Sequence, residues 1–396
     1  MPAIPTTMRI CYVLLSPTFG MHQYTAELAH HHGFHPPAGA NVHLVTTQVY
    51  PADRYAAAIP AHTPLRAHNT GLSLHSLHLR QLRHTWQAIR QLRPDLVHVT
   101  GPHLWNVPLL LALKRAGLPV IHTIHDLEPH SGTSPLLHLW NQLTIGSAGH
   151  ILVHGQRYQQ QLLARGLPPG RVSTIPLLHL FLGHKRRAQV QQWGLASSPD
   201  RVSYDPILLF FGRLEAYKGV DDLLSAWQIL VAARQTGPYQ LHLAGPGRLP
   251  DPWTPANLPP GVRLTNRLVG DDEALALFQR SSLVILPYKD ATQSALISAA
   301  YFFRKPVLVT RTGALPEYVI TGQTGFLSEP RNPPALAETL LQAITRPGDL
   351  PAMGATGRAW YDLHAPQAQD TLLALYQQFR QPGSQSFSLS ASQPIR

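Results

Sequence analysis

The chain has 396 residues, 44% hydrophobic and 13% charged, which is too long for one ordinary core and apolar enough to fill two. No apolar run reaches the roughly 20 residues of a spanning helix, and the start "MPAIPTTMRICYVLLSP" has no cationic leader, so a soluble protein is expected. The single cysteine, Cys11, excludes an internal disulfide and suits a reducing, cytoplasmic compartment.

Apolar runs alternate with amphipathic segments throughout, the pattern of α/β domains with parallel sheets. In the first half, strands are predicted over 9–15, 41–47, 95–100, 119–125, 150–155 and 172–178, with helices between them, as in "HQYTAELAHHH" (22–32) and "TWQAIRQLR" (85–93). Residues 183–205 are polar and irregular at both ends and read as a linker. In the second half, strands are predicted over 206–212, 240–245, 262–268, 283–288 and 306–310. Each half opens as strand, glycine-containing turn and helix, a duplication of architecture. The expected domains are 1–183 and 206–360, joined by 184–205. A C-terminal helix (361–380) packs back on the first domain, and a Ser/Gln/Pro-rich disordered tail (381–396) follows.

Charge and histidine are both concentrated in the first half. Residues 1–190 hold 15 Lys and Arg against 5 Asp and Glu, and residues 191–396 hold 17 against 16. Arg80, Arg83, Arg90 and Arg93 in "RQLRHTWQAIRQLR" form a cationic stripe, either a solvated face or a surface that attracts anionic lipid or an anionic substrate. No nucleic-acid partner is expected. "HHHGFH" (30–35) has no carboxylate or thiolate partners nearby, and no metal site is expected there.

Chemistry in a parallel sheet gathers beyond the carboxyl ends of its strands. In the second half Arg213 and Lys218 follow the first strand, and Pro246 and Gly247 follow the second. A polar loop with Asp290, Thr292, Gln293 and Ser294 precedes the helix "SALISAAYFF", whose start is expected to be capped by Thr292 or Ser294. Two cations, bare glycines and a helix start together suit a diphosphate. GxxxxGK[ST], GxGxxG after a first strand and GxSxG are all missing, which argues against triphosphate hydrolysis, dinucleotide redox chemistry and a serine hydrolase.

Taken in order, "TFGMHQYTAELA", "RPDLVHVTGP", "PVIHTIHDLEPHSG", "VSTIPLL", "FFGRLEAYKGVDDLLSAW", "LHLAGPG", "FQRSSLVILPYKDATQSALISAAYFFRKPVLVTRTGALPEYV" and "TGFL" resemble the retaining GT-B glycosyltransferases of family 4, from about residue 8 to 380. The resemblance implies two facing Rossmann-like domains with an interdomain cleft. A nucleotide-sugar donor would sit on the second domain, and a saccharide or lipid-linked saccharide acceptor mainly on the first. No metal or other cofactor is needed. It further implies that Arg213 and Lys218 hold the donor phosphates, and that Gln293, Ser294, Ala295 and Leu296 present backbone N–H groups to the distal phosphate. Asp290 would contact sugar hydroxyls and Ser298 would lie at the ribose. His125 would lie near the transferred sugar, and Gly20 would let backbone approach the diphosphate or acceptor. Asn266, Arg267 and Leu268 would lie at the base.

The family's two glutamates, spaced E-x7-E, are here Asp290 and Ser298. The second change removes a charge-assisted bond of about 1.5–3 kcal/mol. "LLHLF" stands after "STIP", where the family commonly has His-Gly. Retention at the anomeric carbon implies that the departing phosphate takes the acceptor proton on the same face. Asp126 and Glu128 follow His125 as the nearest carboxylates, and His125 is alternatively a strand-end histidine bonded to backbone. The single cysteine and the start of the chain read as cytoplasmic, and the basic first half as a surface that would hold the protein peripheral to the inner face of the membrane. A nucleotide-sugar epimerase of the same fold and a catalytically weak sugar-nucleotide-binding protein are the alternatives.

Overall fold

The computed structural model describes residues 8–34, 40–65, 79–127, 135–192 and 203–379. The tail 381–396, Glu128, His35 and residues 193–202 of the expected linker lie outside these. The chain divides into two compact units. One comprises Met1–Pro176, Leu182–Lys185 and Gln367–Arg396, and the other Leu177–Phe181 and Arg186–Pro366.

The first unit is built on seven strands: β1 (Arg9–Leu14), β2 (Asn41–Thr47), β3 (Ala61–Leu65), β4 (Leu96–Val99), β5 (Val120–Thr123), β6 (His150–Val153) and β7 (Val172–Thr174). They lie in the order β3-β2-β1-β4-β5-β6-β7, every pairing parallel. The helices are α1 (Phe19–Phe34), α2 (Leu79–Leu92), α3 (Asn106–Arg115), α4 (Pro135–Ser147) and α5 (Gln156–Ala164). Strands such as β4, LVHV, are buried along their whole length, as expected where helices cover both faces of a sheet.

After α6 (His184–Gln192), the second unit has β8 (Ile207–Phe211), β9 (Gln240–Ala244), β10 (Val262–Thr265), β11 (Leu283–Leu286), β12 (Val307–Thr310) and β13 (Gly325–Ser328). The order is β10-β9-β8-β11-β12-β13, again all parallel. Its helices are α7 (Val220–Ala232), α8 (Asp271–Arg280), α9 (Leu296–Phe302), α10 (Pro333–Ile344) and the long α11 (Asp349–Gln378). Helix α11 counts with the second unit up to Pro366 and with the first from Gln367.

All eleven predicted strands are present, and the structure adds β3 and β13, each at a sheet edge. Part of the expected linker is helical: "HKRRAQVQQ" lacks Gly and Pro and forms α6. Among the described residues no helix is long and apolar enough to cross a membrane.

Sheet order fixes where each unit can bind. The chain runs outward one way from β8 to β9 and β10, and the other way from β11 to β12 and β13. The direction switches between β8 and β11, and in the first unit between β1 and β4. Loops leaving the carboxyl ends on either side of such a point diverge and leave a crevice.

Candidate functional site

The second unit's switch point gathers most of the predicted residues. Strand β8 ends at Phe211, and Gly212 and Arg213 follow. A single 3-10 turn, Ala216–Lys218, then leads through Gly219 into α7. Gly219 has φ 66°, and a Cβ there would overlap the Pro287 carbonyl oxygen, so only glycine lets this turn press against the end of β11. Backbone bonds secure the approach: the Lys289 N–H donates to the Tyr217 carbonyl at 2.7 Å, and the Asp290 N–H at 3.4 Å. The turn is thus stitched to the loop after β11, and Lys218 is carried back over β8. A Cβ on Gly212 would lie 2.9 Å from Lys218 Nζ and 3.9 Å from Leu296 Cδ1. The Lys218 ammonium therefore sits where the end of β8 and the start of α9 converge.

The two lysines of this region have separate tasks. Lys218 makes no ion pair with a described residue; its ammonium lies 5.7 Å from the Tyr288 ring centre and 5.9 Å from that of Tyr217. Lys289 is held by Asp221, with Asp222 Oδ1 at 3.5 Å, both in the first turn of α7. Arg213 is largely exposed, and its Nη1 lies 3.5 Å from Glu215 Oε1, a loose surface pair that leaves it available to an anion.

The loop after β11 carries Asp290, which is partly exposed, and runs into α9. It is braced by the loop after β12: the Ala314 N–H donates to the Thr292 carbonyl at 3.0 Å, and the Ala291 N–H to Thr312 Oγ1 at 3.4 Å. The expected helix cap takes a different form. Ala295, just before α9, is helical and has no side-chain cap, while Ser294 Oγ accepts the Leu296 N–H at 3.3 Å. One of the N–H groups expected to face a phosphate is thereby occupied. Those of Ser294 and Ala295 have no partner among the described residues. Helix α9 has only seven residues, so positive potential here comes chiefly from Lys218 and Arg213.

Ser298 departs from its expected place at a ribose. It is fully buried, and its hydroxyl lies 2.7 Å from the Ala295 carbonyl and 2.9 Å from the His179 carbonyl, so its single proton is committed to backbone. A small side chain on an inward face of α9 is enclosed by the segment 177–181. Arg267 is bound through both Nη atoms to Glu273 at 2.7 and 2.8 Å, and Leu268 is 76% exposed. Asn266 Oδ1 accepts the Gly247 N–H at 3.0 Å, tying the ends of β10 and β9.

Gly20 and His125 belong to the first unit, at its strands' carboxyl ends. Gly20, expected in a loop, lies in the first turn of α1, and a Cβ there would meet nothing within 4 Å. His125 follows β5. It is buried, its Nε2 donates to the Thr100 carbonyl at 3.0 Å, and the rings of Tyr24 and His154 lie 4.9 and 5.2 Å away. Burial, and then the neighbouring His154, push its pKa down to about 3, so the ring is neutral. The backbone bond expected of a strand-end histidine is present.

Tyr217, Tyr288 and Lys289 are structural members of the site that the sequence did not single out. An aromatic beside a lysine is common, and only the fold shows that Tyr217 supplies a carbonyl to the neighbouring loop.

Two all-parallel Rossmann-like units, one with Lys218 and the loosely paired Arg213 at its switch point, define the GT-B class of fold. Anabaena HepE in complex with UDP aligns over 93% of this chain and 100% of its own, with a TM-score of 0.68 and 15% identity, a likeness of fold. Residues 205–346 match the family of glycosyl transferases group 1, and residues 19–177 the glycosyl transferase 4-like domain. The chain belongs to the group 1 glycosyltransferases. Glycogen synthase of Mycobacterium tuberculosis is 28% identical over 273 residues, 65% of this chain and 62% of its own. D-inositol 3-phosphate glycosyltransferase 1 of Catenulispora acidiphila is 27% identical over 315 residues, 71% and 72% respectively. The chain spans about three fifths of the length of the first of these curated relatives.

Proposed function

We propose that the protein transfers a sugar from a nucleoside-diphosphate sugar to a saccharide or lipid-linked saccharide, with retention of anomeric configuration. The observation that carries this reading is the position of Lys218 Nζ over Gly212 and beside the start of α9, at the one place in the second sheet where a ligand crevice must form. A leaving diphosphate there meets Lys218, Arg213 and the N–H groups of Ser294 and Ala295. Those groups spread the positive charge that a divalent cation otherwise supplies, so the reaction needs no metal. Asp290 accepts hydroxyl hydrogen bonds from the sugar. Ser298 acts indirectly, by holding α9 against the 177–181 segment, and the base lies against the ends of β9 and β10 near Asn266 and Arg267. Gly20 and His125 serve the acceptor and the transferred sugar from the first unit. HepE was solved with UDP bound, which supports a nucleoside diphosphate as the ligand class.

The test is turnover of a panel of UDP-, GDP- and ADP-sugars, with and without EDTA, reading the anomeric configuration of the product. One donor consumed with retention and no EDTA effect is the expected result. A donor bound but never turned over would make the protein a sugar-nucleotide-binding protein instead.

The acceptor side meets an anionic membrane surface in the cytoplasm. Helix α2 turns Arg80, Arg83, His84, Gln87, Arg90 and Gln91 to solvent with no carboxylate among them, while Thr85 and Ile89 are buried. Co-sedimentation with liposomes containing anionic lipid, lost at high salt or in an Arg80/Arg83/Arg90→Glu variant, is expected. Equal binding to neutral liposomes would refute it.

A further inference from the structure

The core of the first unit contains a polar chain that a parallel sheet does not need. Tyr12 on β1, His98 on β4, Thr123 on β5, Tyr24 on α1 and Tyr376 near the end of α11 are all buried. Tyr12 Oη lies 3.3 Å from Tyr376 Oη, Tyr376 Oη 2.5 Å from His98 Nδ1, His98 Nε2 2.7 Å from Thr123 Oγ1, and Thr123 Oγ1 3.3 Å from Tyr24 Oη. The Tyr24 ring then meets His125 edge-on at 4.9 Å and His154 at 5.2 Å.

Proton counting makes this a single unit. A neutral imidazole donates from one nitrogen and accepts at the other, and a hydroxyl donates once. When Tyr376 donates to His98 Nδ1, His98 must donate from Nε2 to Thr123, and the Thr123 proton is released towards Tyr24. Removing one hydroxyl takes a hydrogen bond from a buried member of the chain and shifts the donor and acceptor roles of the others.

We propose that Tyr376, His98 and Thr123 are positioning residues for His125: the end of the C-terminal helix sets the seat of the Tyr24 ring, and through it the His125 imidazole. This rests on the reading of His125 as a group that lies at the transferred sugar. The second unit's phosphate contacts are untouched, so the chain governs turnover rather than donor affinity.

The test uses the full-length protein labelled with 15N-histidine, its ring signals assigned with His98→Gln and His125→Gln. In Tyr376→Phe the ring signals of both His98 and His125 are expected to shift. kcat should fall by roughly tenfold while the donor KM is unchanged. Thr123→Ser, which keeps the hydroxyl, should retain wild-type spectra and rate. Should Tyr376→Phe fail to fold, Thr123→Val cuts the same chain between His98 and Tyr24 with no change of size and gives the same reading. His125 signals that coincide with wild type while those of His98 move would overturn the proposal and leave a purely structural cluster. The spectra are read without substrate, so they decide the matter even if the protein turns over no donor.

Discussion

Lys218 and Lys289 flank one turn, yet their surroundings predict opposite consequences of losing them. Lys218→Ala removes a cation that makes no ion pair with a described residue and only distant contacts with the Tyr217 and Tyr288 rings, so the melting temperature should change little. Donor affinity should fall by about 1.5–3 kcal/mol, roughly 10- to 100-fold, which calorimetric titration of the donor measures. Lys289→Ala leaves Asp221 and Asp222 side by side at the start of α7 and should lower stability first. Gly219→Ala should do both: its φ of 66° costs a residue with a Cβ about 1–2 kcal/mol, and relieving the overlap with Pro287 moves the turn that carries Lys218. Ser298→Glu is the most instructive substitution. On the family pattern alone, a glutamate here restores a ribose contact. Here it forces a carboxylate against the carbonyls of Ala295 and His179 in a fully buried position. The expected outcome is a lower melting temperature with no gain in kcat/KM; a clear gain would show that α9 rotates to let the side chain out.

Among the elements, those with continuous apolar runs were legible in the sequence and the edges were not. β8, ILLFF, and β11, LVIL, announce themselves because parallel strands are buried on both faces. β3, AHTPL, carries a proline and a histidine, tolerated only because it lies at an edge. β13 begins at Gly325, where a Cβ would press on the Val307 carbonyl, a constraint invisible before the pairing is known. At the site, the charge pattern after β8 was enough to single out Arg213 and Lys218. The inward orientation of Ser298 was not readable, because a seven-residue helix gives too little periodicity to assign its faces. Helix ends carry a further signature. Arg93, Arg234 and Arg304 follow α2, α7 and α9 with φ of 47°, 54° and 57°, where glycine is usual. Arg234→Gly, at an exposed position, should therefore raise stability by about 0.5–1 kcal/mol, roughly 1–3 °C in melting temperature. An unchanged or lower value would mean that Arg234 makes compensating contacts.

For the whole molecule, histidine distribution sets the response to acid. His22, His103, His122 and His150 are buried in the first unit, and burial brings each down to about 4, with His125 lower still. The unfolded chain, with histidines near 6.5, binds more protons than the folded one between about pH 6.5 and 4. Stability is therefore complete above that window and falls as pH drops through it, by on the order of 1–2 kcal/mol per buried histidine at pH 5. The second unit holds only His179, His242 and His364, of which burial brings His242 down, so scanning calorimetry should show the first unit's transition moving down with acid further than the second's. Transitions that move together, or not at all, would refute this.

The central claim is that the loops meeting between β8 and β11 bind a diphosphate, and calorimetric titration with free nucleotides tests it most directly. Wild-type protein is expected to bind one nucleoside diphosphate of the UDP, GDP and ADP set at least roughly tenfold more tightly than its monophosphate, without added metal, and Lys218→Ala should erase that difference. Equal affinity for mono- and diphosphate, or a preference that survives Lys218→Ala, would contradict the account.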